Sequence, residues 1–139
     1  MSSGKIKTIL NAAVSELPPF FEALEEWCAD QGVEPRLTMQ FVLMLDELLT
    51  NVALHAYQGQ GGWAEVCVEV LQPIGLLAQI RDKGPEFDPT RRPLVDVSSG
   101  IEERQIGGLG VHFIHELADE FAYQREQATN LVTIKKMAV

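Results

Sequence analysis

Apolar side chains recur at helical spacing in two segments near the start of the chain, Leu17 to Gln31 and Glu34 to Tyr57. This spacing predicts two amphipathic helices, and Ser15 is predicted to cap the first. In the second helix, an apolar stripe about 100° wide should face a core. Its members are Phe41, Met44, Leu45, Leu48 and Val52.

Short segments in which apolar and polar residues alternate predict β-strands. They are Lys5 to Leu10, Val66 to Val70, Leu76 to Ile80, Phe121 to Arg125 and Leu131 to Lys135. The first is expected at a sheet edge, and turns at 73–75 and 128–130 join the others in pairs. A third helix is predicted from Leu109 to Leu117. This order predicts an α+β fold, a two-layer α/β sandwich with a mostly antiparallel sheet and helices on one face.

Between the first strand pair and the third helix lies a segment without periodicity, Glu86 to Ile106. It contains prolines, the sequence Ser98-Ser99-Gly100 and charges of both signs. A loop of roughly 20 residues is unusual in a compact domain and often forms a functional lid. We therefore predict a lid over about residues 86–106.

Length and charge narrow the classes of function. A chain of 139 residues can bury a core, and we expect residues 1–139 to form a single domain. The formal net charge of −9 argues against a nucleic acid partner and leaves room for a basic protein, or it serves solubility alone. No apolar run has the length of a membrane span, and no secretory signal is visible. Cys28 and Cys67 lack metal-ligand spacing, so free thiols in the cytoplasm are expected.

Glu47, Asn51 and His55 follow one another at intervals of one helical turn, on a stripe beside the buried face. An amide oxygen suits Mg²⁺ when substrate phosphates supply most of the charge, and a nearby carboxylate can act as a general base. A histidine here can contact phosphate or have a structural role. Asp46 points about 100° away from Glu47, which favours Glu47 as the base. Taken alone, this pattern is also typical of an ordinary helix surface.

Asp82 ends a predicted strand and is followed, two residues later, by Gly84. A carboxylate at this point can accept a hydrogen bond from the adenine amino group, which would select adenine over guanine. A glycine lets the backbone approach the base closely. The same two residues are also common in plain turns at strand ends.

A glycine-rich cluster precedes the third helix, where free backbone N–H groups suit a phosphate. The cluster consists of Gly107, Gly108, Leu109 and Gly110. It lacks the lysine of a P-loop. An arginine of the lid can close on a γ-phosphate, and Arg91, Arg92 and Arg104 are available. The sequence does not choose among the three; Arg104 is retained as the candidate contact.

These motifs, in this order, resemble those of the GHKL ATPases, which include gyrase-type topoisomerases, heat-shock chaperones and sensor histidine kinases. Residues 47–57 (ELLTNVALHAY) resemble the N box, 81–89 (RDKGPEFDP) the first glycine box and 107–114 (GGLGVHFI) the second. Within that superfamily the chain is most similar to the small bacterial anti-sigma factor serine/threonine kinases. The resemblance extends from about Thr8 to Lys136.

The resemblance implies a Bergerat ATP-binding fold with ATP and Mg²⁺. It implies that Glu47 is the catalytic base, that Asn51 binds Mg²⁺, that Asp82 and Gly84 hold adenine, and that Gly108 and Gly110 hold phosphates. It further implies phosphorylation of a serine on an anti-anti-sigma (STAS-type) protein, binding of a sigma factor, and a homodimer.

The chain departs from the superfamily at Glu86, which stands where the second glycine of D-x-G-x-G is usual. This leaves two hypotheses. The chain is an active serine/threonine kinase, or it is a non-catalytic, nucleotide-dependent module that regulates a partner. Glu47 favours the kinase, because binding alone needs no base, and Glu86 favours the module. A detached histidine kinase domain is a weaker third, because no phosphoacceptor helix pair precedes the motifs.

Overall fold

The computed structural model describes residues 4–91 and 109–138. Five strands and three helices follow one another along these residues. In chain order they are β1 (Lys5–Asn11), α1 (Leu17–Asp30), α2 (Pro35–Asn51), β2 (Trp63–Leu71), β3 (Gly75–Asp82), α3 (Leu109–Leu117), β4 (Glu120–Glu126) and β5 (Thr129–Met137).

The strands form one sheet in the order β1-β2-β3-β5-β4, and every neighbouring pair is antiparallel. The predicted α+β class and the edge position of the first strand are confirmed. β3 and β5 come from different hairpins and meet in the middle of the sheet. Their register places Asp82 directly opposite Asn130, so two polar residues far apart in sequence share one end of the sheet.

The helices pack on one face of the sheet, as the burial pattern along β2 shows. Ala64, Val66 and Val68 are buried, whereas the residues between them are only half-buried. The apolar stripe of α2 covers the buried face, and its predicted members are buried except Val52, which is half-buried. Burying each such side chain contributes about 1.5–3 kcal/mol, so this layer is the main source of stability.

Three local predictions were wrong. The second helix does not continue to Tyr57, because α2 ends at Asn51 and Val52–Ala56 forms one π-helical turn. Ser15 does not cap α1, because it lies within a 3₁₀ turn, Val14–Glu16, that runs into the helix. The last hairpin turns at 127–128, where Gln127 has a φ of 56°, and β5 already begins at Thr129.

One helical stretch, Pro35–Ala56, is long and apolar enough by composition to cross a membrane, with a mean hydropathy of 1.3. It consists of α2 and the π-helical turn, and its apolar stripe is packed in the core. The core helix of a globular protein meets the same criteria. The buried stripe therefore accounts for the apolar composition of this helix.

Candidate functional site

A pocket opens where the end of α2, the ends of β3 and β5, and the segment after β3 come together. It holds about 640 Å³ of empty space, a figure that includes open solvent at its mouth. Apolar side chains line most of it. The polar residues of the lining are Asn51, His55, Asp82, Glu86 and Asn130.

Asn51 and His55 enter the pocket from the end of α2. Asn51 is 6% exposed, and within residues 4–91 and 109–138 its Nδ2 atom has no hydrogen-bond partner. A buried amide without a partner costs about 1–3 kcal/mol, which is typical of a group reserved for a ligand. His55 is exposed and stacks on Phe87 at 6.1 Å between ring centroids.

The π-helical turn Val52–Ala56 shapes this wall of the pocket. Its wider hydrogen bond runs from the Tyr57 N–H to the Val52 carbonyl at 3.2 Å. Such turns are rare and occur frequently at functional sites. Here the turn places both His55 and Ala56 against the pocket.

Asp82 lies at the end of β3 and is 4% exposed. The hydrogen bonds that it receives from described residues both reach one oxygen, Oδ1, from Gly84 N at 2.8 Å and Asn130 Nδ2 at 3.0 Å. A buried carboxylate needs such compensation. Among the described residues no donor reaches the other oxygen, Oδ2, and Asp82 lines the pocket.

Gly84 is buried behind the pocket wall. A Cβ at this position would overlap Ala56 Cβ, and it would lie 3.0 Å from Ala56 Cα and 3.1 Å from Asp82 Oδ1. Its missing side chain therefore allows the π-helical turn and the end of β3 to approach each other. Gly84 acts on the pocket through Ala56 and Asp82, both of which line it.

Asn130 is the functional candidate that sequence reasoning missed. It is 2% exposed, lines the pocket and contacts Asp82. The sequence analysis assigned it to a turn, where asparagine is common. Asn130 is identified by the antiparallel register of β3 and β5, which places it opposite Asp82. Because these strands belong to separate hairpins, a local sequence pattern does not show this pairing.

Glu47 is half-buried on α2, one turn before Asn51, whereas Asp46 is exposed and accepts a hydrogen bond from Thr50 Oγ1 at 3.3 Å. Glu47 is therefore the inward member of the acidic pair, although it lies outside the described lining of the pocket. Leu109 and Gly110 begin α3, which packs against α2.

Of the three arginine candidates, the structure describes only Arg91. Arg91 is exposed and pairs with Asp88 at 3.4 Å. Most of the predicted lid and several candidate residues lie outside the described residues; those candidates are Arg92, Arg104, Gly107 and Gly108.

Tyr57 ties the π-helical turn to the sheet. Its hydroxyl donates to the Trp63 carbonyl at 2.6 Å and accepts from Lys83 N at 2.8 Å. Burial raises the pKa of Tyr57, the Lys83 N–H lowers it, and the charge of Asp82 raises it. Because the folded pKa is raised, the stability from the neutral phenol is fully present below about pH 10 and is lost as pH rises through the folded pKa.

We expect Tyr57→Phe to lower the free energy of unfolding at pH 7 by about 1–3 kcal/mol, because two hydrogen bonds are lost. The variant should also lose less stability than the wild type between pH 9 and 11, which urea unfolding at each pH measures. Equal alkaline losses in both proteins would exclude Tyr57 as a source of the pH dependence. Burial also raises the pKa of Tyr123, so some alkaline loss should remain.

Sequence comparison places this chain in a class of ATPase domain. The sequence profile of the histidine kinase-like ATPase domain matches residues 10–136, and this chain belongs to that family. The expected superfamily is confirmed.

One curated protein and two solved structures are similar to this chain. Serine/threonine-protein kinase BtrW of Bordetella bronchiseptica is 27% identical over 100 residues, which cover 71% of this chain and 70% of BtrW. The RsbU and RsbW domains of a Mycobacterium tuberculosis protein match 96% of this chain with a TM-score of 0.68 and 15% identity. This chain spans 32% of that longer chain.

The SiaB–SiaC complex from Pseudomonas aeruginosa matches with a TM-score of 0.65 and 16% identity, over 92% of this chain and 88% of the other. At these identities the two structural matches establish the fold alone.

Proposed function

We propose that this chain is an ATP-dependent regulatory serine/threonine kinase that acts on an anti-anti-sigma protein. The observation that carries the proposal is the pairing, in one pocket, of the unpartnered Asn51 amide with the buried Asp82 carboxylate. Together they suit the two ends of Mg²⁺-ATP, because a carboxylate accepts from the adenine amino group and the unpartnered Nδ2 can donate to a phosphate oxygen. The oxygen of the same amide is then the proposed ligand of the phosphate-held metal.

The residues of this chain would then divide the chemistry. Asp82 Oδ2 selects adenine, because guanine presents a carbonyl oxygen at the same position. Asn51 supplies one oxygen ligand to Mg²⁺, which when bound neutralises charge on the phosphates. We propose that backbone N–H groups at the start of α3 bind the phosphates, with Gly108 and Gly110 as the predicted contacts.

Glu47 is the proposed general base. It takes the proton from the hydroxyl of the substrate serine as that oxygen forms a bond to the γ-phosphorus. The bond from the γ-phosphorus to the bridging oxygen breaks, and ADP leaves with that oxygen. Exposure of Asp46 and inward placement of Glu47 support this choice. A carboxylate so placed contributes about 10²–10⁴-fold to the rate.

The names of the relatives support the choice of partner. BtrW is named as a serine/threonine-protein kinase, and the two structural neighbours contain RsbW and SiaB beside RsbU and SiaC. We accordingly propose a STAS-type anti-anti-sigma protein as the phosphate acceptor, a sigma factor as the second partner, a homodimer as the active form and the cytoplasm as the location.

A nucleotide-dependent module without turnover is the alternative function. Glu86 favours it, because this exposed acidic residue lines the pocket in place of the usual glycine and would repel an anionic nucleotide. Incubation with γ-labelled ATP and an anti-anti-sigma protein encoded beside this chain separates the two functions. Label on the acceptor supports the kinase. Nucleotide-dependent binding of the acceptor without label supports the module.

The role of Asp82 gives a further prediction. Asp82→Asn should weaken ATP binding by about 1.5–3 kcal/mol, the range for losing a hydrogen bond to a charged group. Because Oδ1 is held by Gly84 and Asn130, the new amide nitrogen would face the base and donate to guanine O6 instead. Calorimetry with ATP and GTP should therefore show a smaller ratio of ATP affinity to GTP affinity than in the wild type. A wild-type protein that binds GTP as tightly as ATP would remove Asp82 from this role.

A further inference from the structure

We propose that Asn130 and Arg125 form a clamp that holds the turn from Asp82 to Phe87 in its ligand-binding shape and so sets nucleotide affinity and base selectivity. This proposal rests on the function proposed above. The clamp consists of these two side chains alone. Asn130 is on β5, Arg125 is on β4, and the turn follows β3.

Asn130 uses both ends of its amide on this turn. Its Nδ2 atom donates to Asp82 Oδ1 at 3.0 Å and to the Pro85 carbonyl at 2.9 Å. Its Oδ1 atom accepts from the Phe87 N–H at 3.3 Å. One buried side chain therefore fixes two things. It holds the Asp82 carboxylate, which faces the base in the proposed complex, and it holds the backbone on either side of Glu86.

Arg125 completes the clamp from the neighbouring strand. A single nitrogen, Nη1, donates to the Gly84 carbonyl at 3.0 Å and to Asn130 Oδ1 at 3.0 Å. Tyr123 also donates to Asn130 Oδ1, at 2.6 Å. Burial raises the pKa of Tyr123, and the charge of Glu86 raises it further, so the hydroxyl stays a donor. These donors determine which end of the Asn130 amide is the oxygen.

The clamped turn is a wall of the pocket, since Asp82, Pro85, Glu86 and Phe87 all line it. Ordering a backbone residue costs conformational entropy, and a turn that is ordered before binding avoids that cost at the binding step. The usual second glycine of this motif is replaced here by Glu86. The clamp therefore suits a site whose adenine-facing wall is preformed rather than folded around the nucleotide.

The test compares four variants with the wild type. Asn130→Asp keeps the shape of the side chain but places an oxygen against Asp82 Oδ1 and the Pro85 carbonyl. Arg125→Ala removes the second half of the clamp, and Arg125→Lys retains one nitrogen able to make both Nη1 hydrogen bonds. Gln124→Ala is the matched control, because Gln124 is an exposed neighbour on the same strand. Among the described residues its side chain bonds only to Glu126.

Calorimetry with Mg²⁺-ATP and Mg²⁺-GTP gives the affinities, and hydrogen exchange of the ligand-free proteins gives protection of the amides of Gly84 and Phe87. Asn130→Asp and Arg125→Ala should each weaken ATP binding by about 10- to 100-fold, the range for lost hydrogen bonds to charged groups. They should also reduce the ratio of ATP to GTP affinity and speed exchange at Gly84 and Phe87. Arg125→Lys should partly restore the ATP affinity, the ratio of ATP to GTP affinity and the slow exchange. Gln124→Ala should change none of these quantities.

Unchanged affinity ratio and unchanged exchange in folded Arg125→Ala would overturn the clamp while the proposed function stands. If Asn130→Asp does not fold, the comparison of Arg125→Ala with Arg125→Lys decides, because a purely structural role would change melting temperature without changing the ratio. A wild-type protein that binds no nucleotide would overturn the proposed function and the selectivity of the clamp together.

Discussion

Replacing Glu47 with alanine should lower phosphotransfer by about 10²–10⁴-fold and leave ATP affinity close to that of the wild type. The carboxylate is not needed to hold an anionic ligand, and its charge opposes one, so its loss acts on the reaction rather than on binding. Single-turnover transfer of label from γ-labelled ATP to the acceptor gives the rate. Calorimetry with ATP gives the affinity on the same preparations.

Asp46→Ala is the matched control for this experiment. Asp46 is the neighbouring acid on α2, but it is exposed and bonded to Thr50, so its loss should leave the transfer rate within a few-fold of the wild type. If Glu47→Ala transfers phosphate as fast as Asp46→Ala, Glu47 is not the base. If the wild type transfers no labelled phosphate and Glu47→Ala still regulates its partner, the chain acts as a binding module without turnover.

Asn51→Leu should raise stability and weaken Mg²⁺-dependent ATP binding, two effects of opposite sign from one substitution. The amide is buried with no partner for Nδ2 among the described residues, and an apolar side chain of similar size removes that penalty. We expect the melting temperature of the ligand-free protein to rise by about 2–6 °C. Loss of a metal ligand should weaken Mg²⁺-ATP binding at least about tenfold.

Asn51→Asp separates the two causes. It retains an oxygen for the metal, so Mg²⁺-dependent binding should persist, whereas a buried carboxylate should lower the melting temperature. Thermal melts without ligand and calorimetry with and without Mg²⁺ provide the measurements. Undiminished Mg²⁺-dependent binding by Asn51→Leu would exclude Asn51 as the metal ligand.

The distribution of apolar residues along this chain determined its elements and their class. The stripe of α2 and the alternation along β2 are local patterns, and burial follows them directly in the structure. The polar residues Asn51 and Asp82 were visible for the same reason, because each breaks a local apolar pattern at its end. The chemistry of these residue types is also local, so ATP and Mg²⁺ were a reasonable prediction.

The precise ends of elements were less predictable. The π-helical turn Val52–Ala56 continues the helical pattern, and its wider hydrogen bonding leaves no distinct mark in the order of apolar residues. Its close packing with Gly84 arises between segments that are distant in sequence. Tertiary contact therefore decided both the turn and the structural role of the glycine.

Asn130 and Arg125 show most clearly what only the tertiary structure decided. In sequence they look like turn and surface residues of a last hairpin. In the fold, β5 pairs with β3 rather than only with β4, and this pairing brings both side chains to the turn after Asp82. The sequence by itself determined the helices, the strands and the chemistry available at Asn51 and Asp82. The long-range register of the sheet determined which buried groups hold that chemistry in place, because strand pairing between separate hairpins depends on the packing of the whole core.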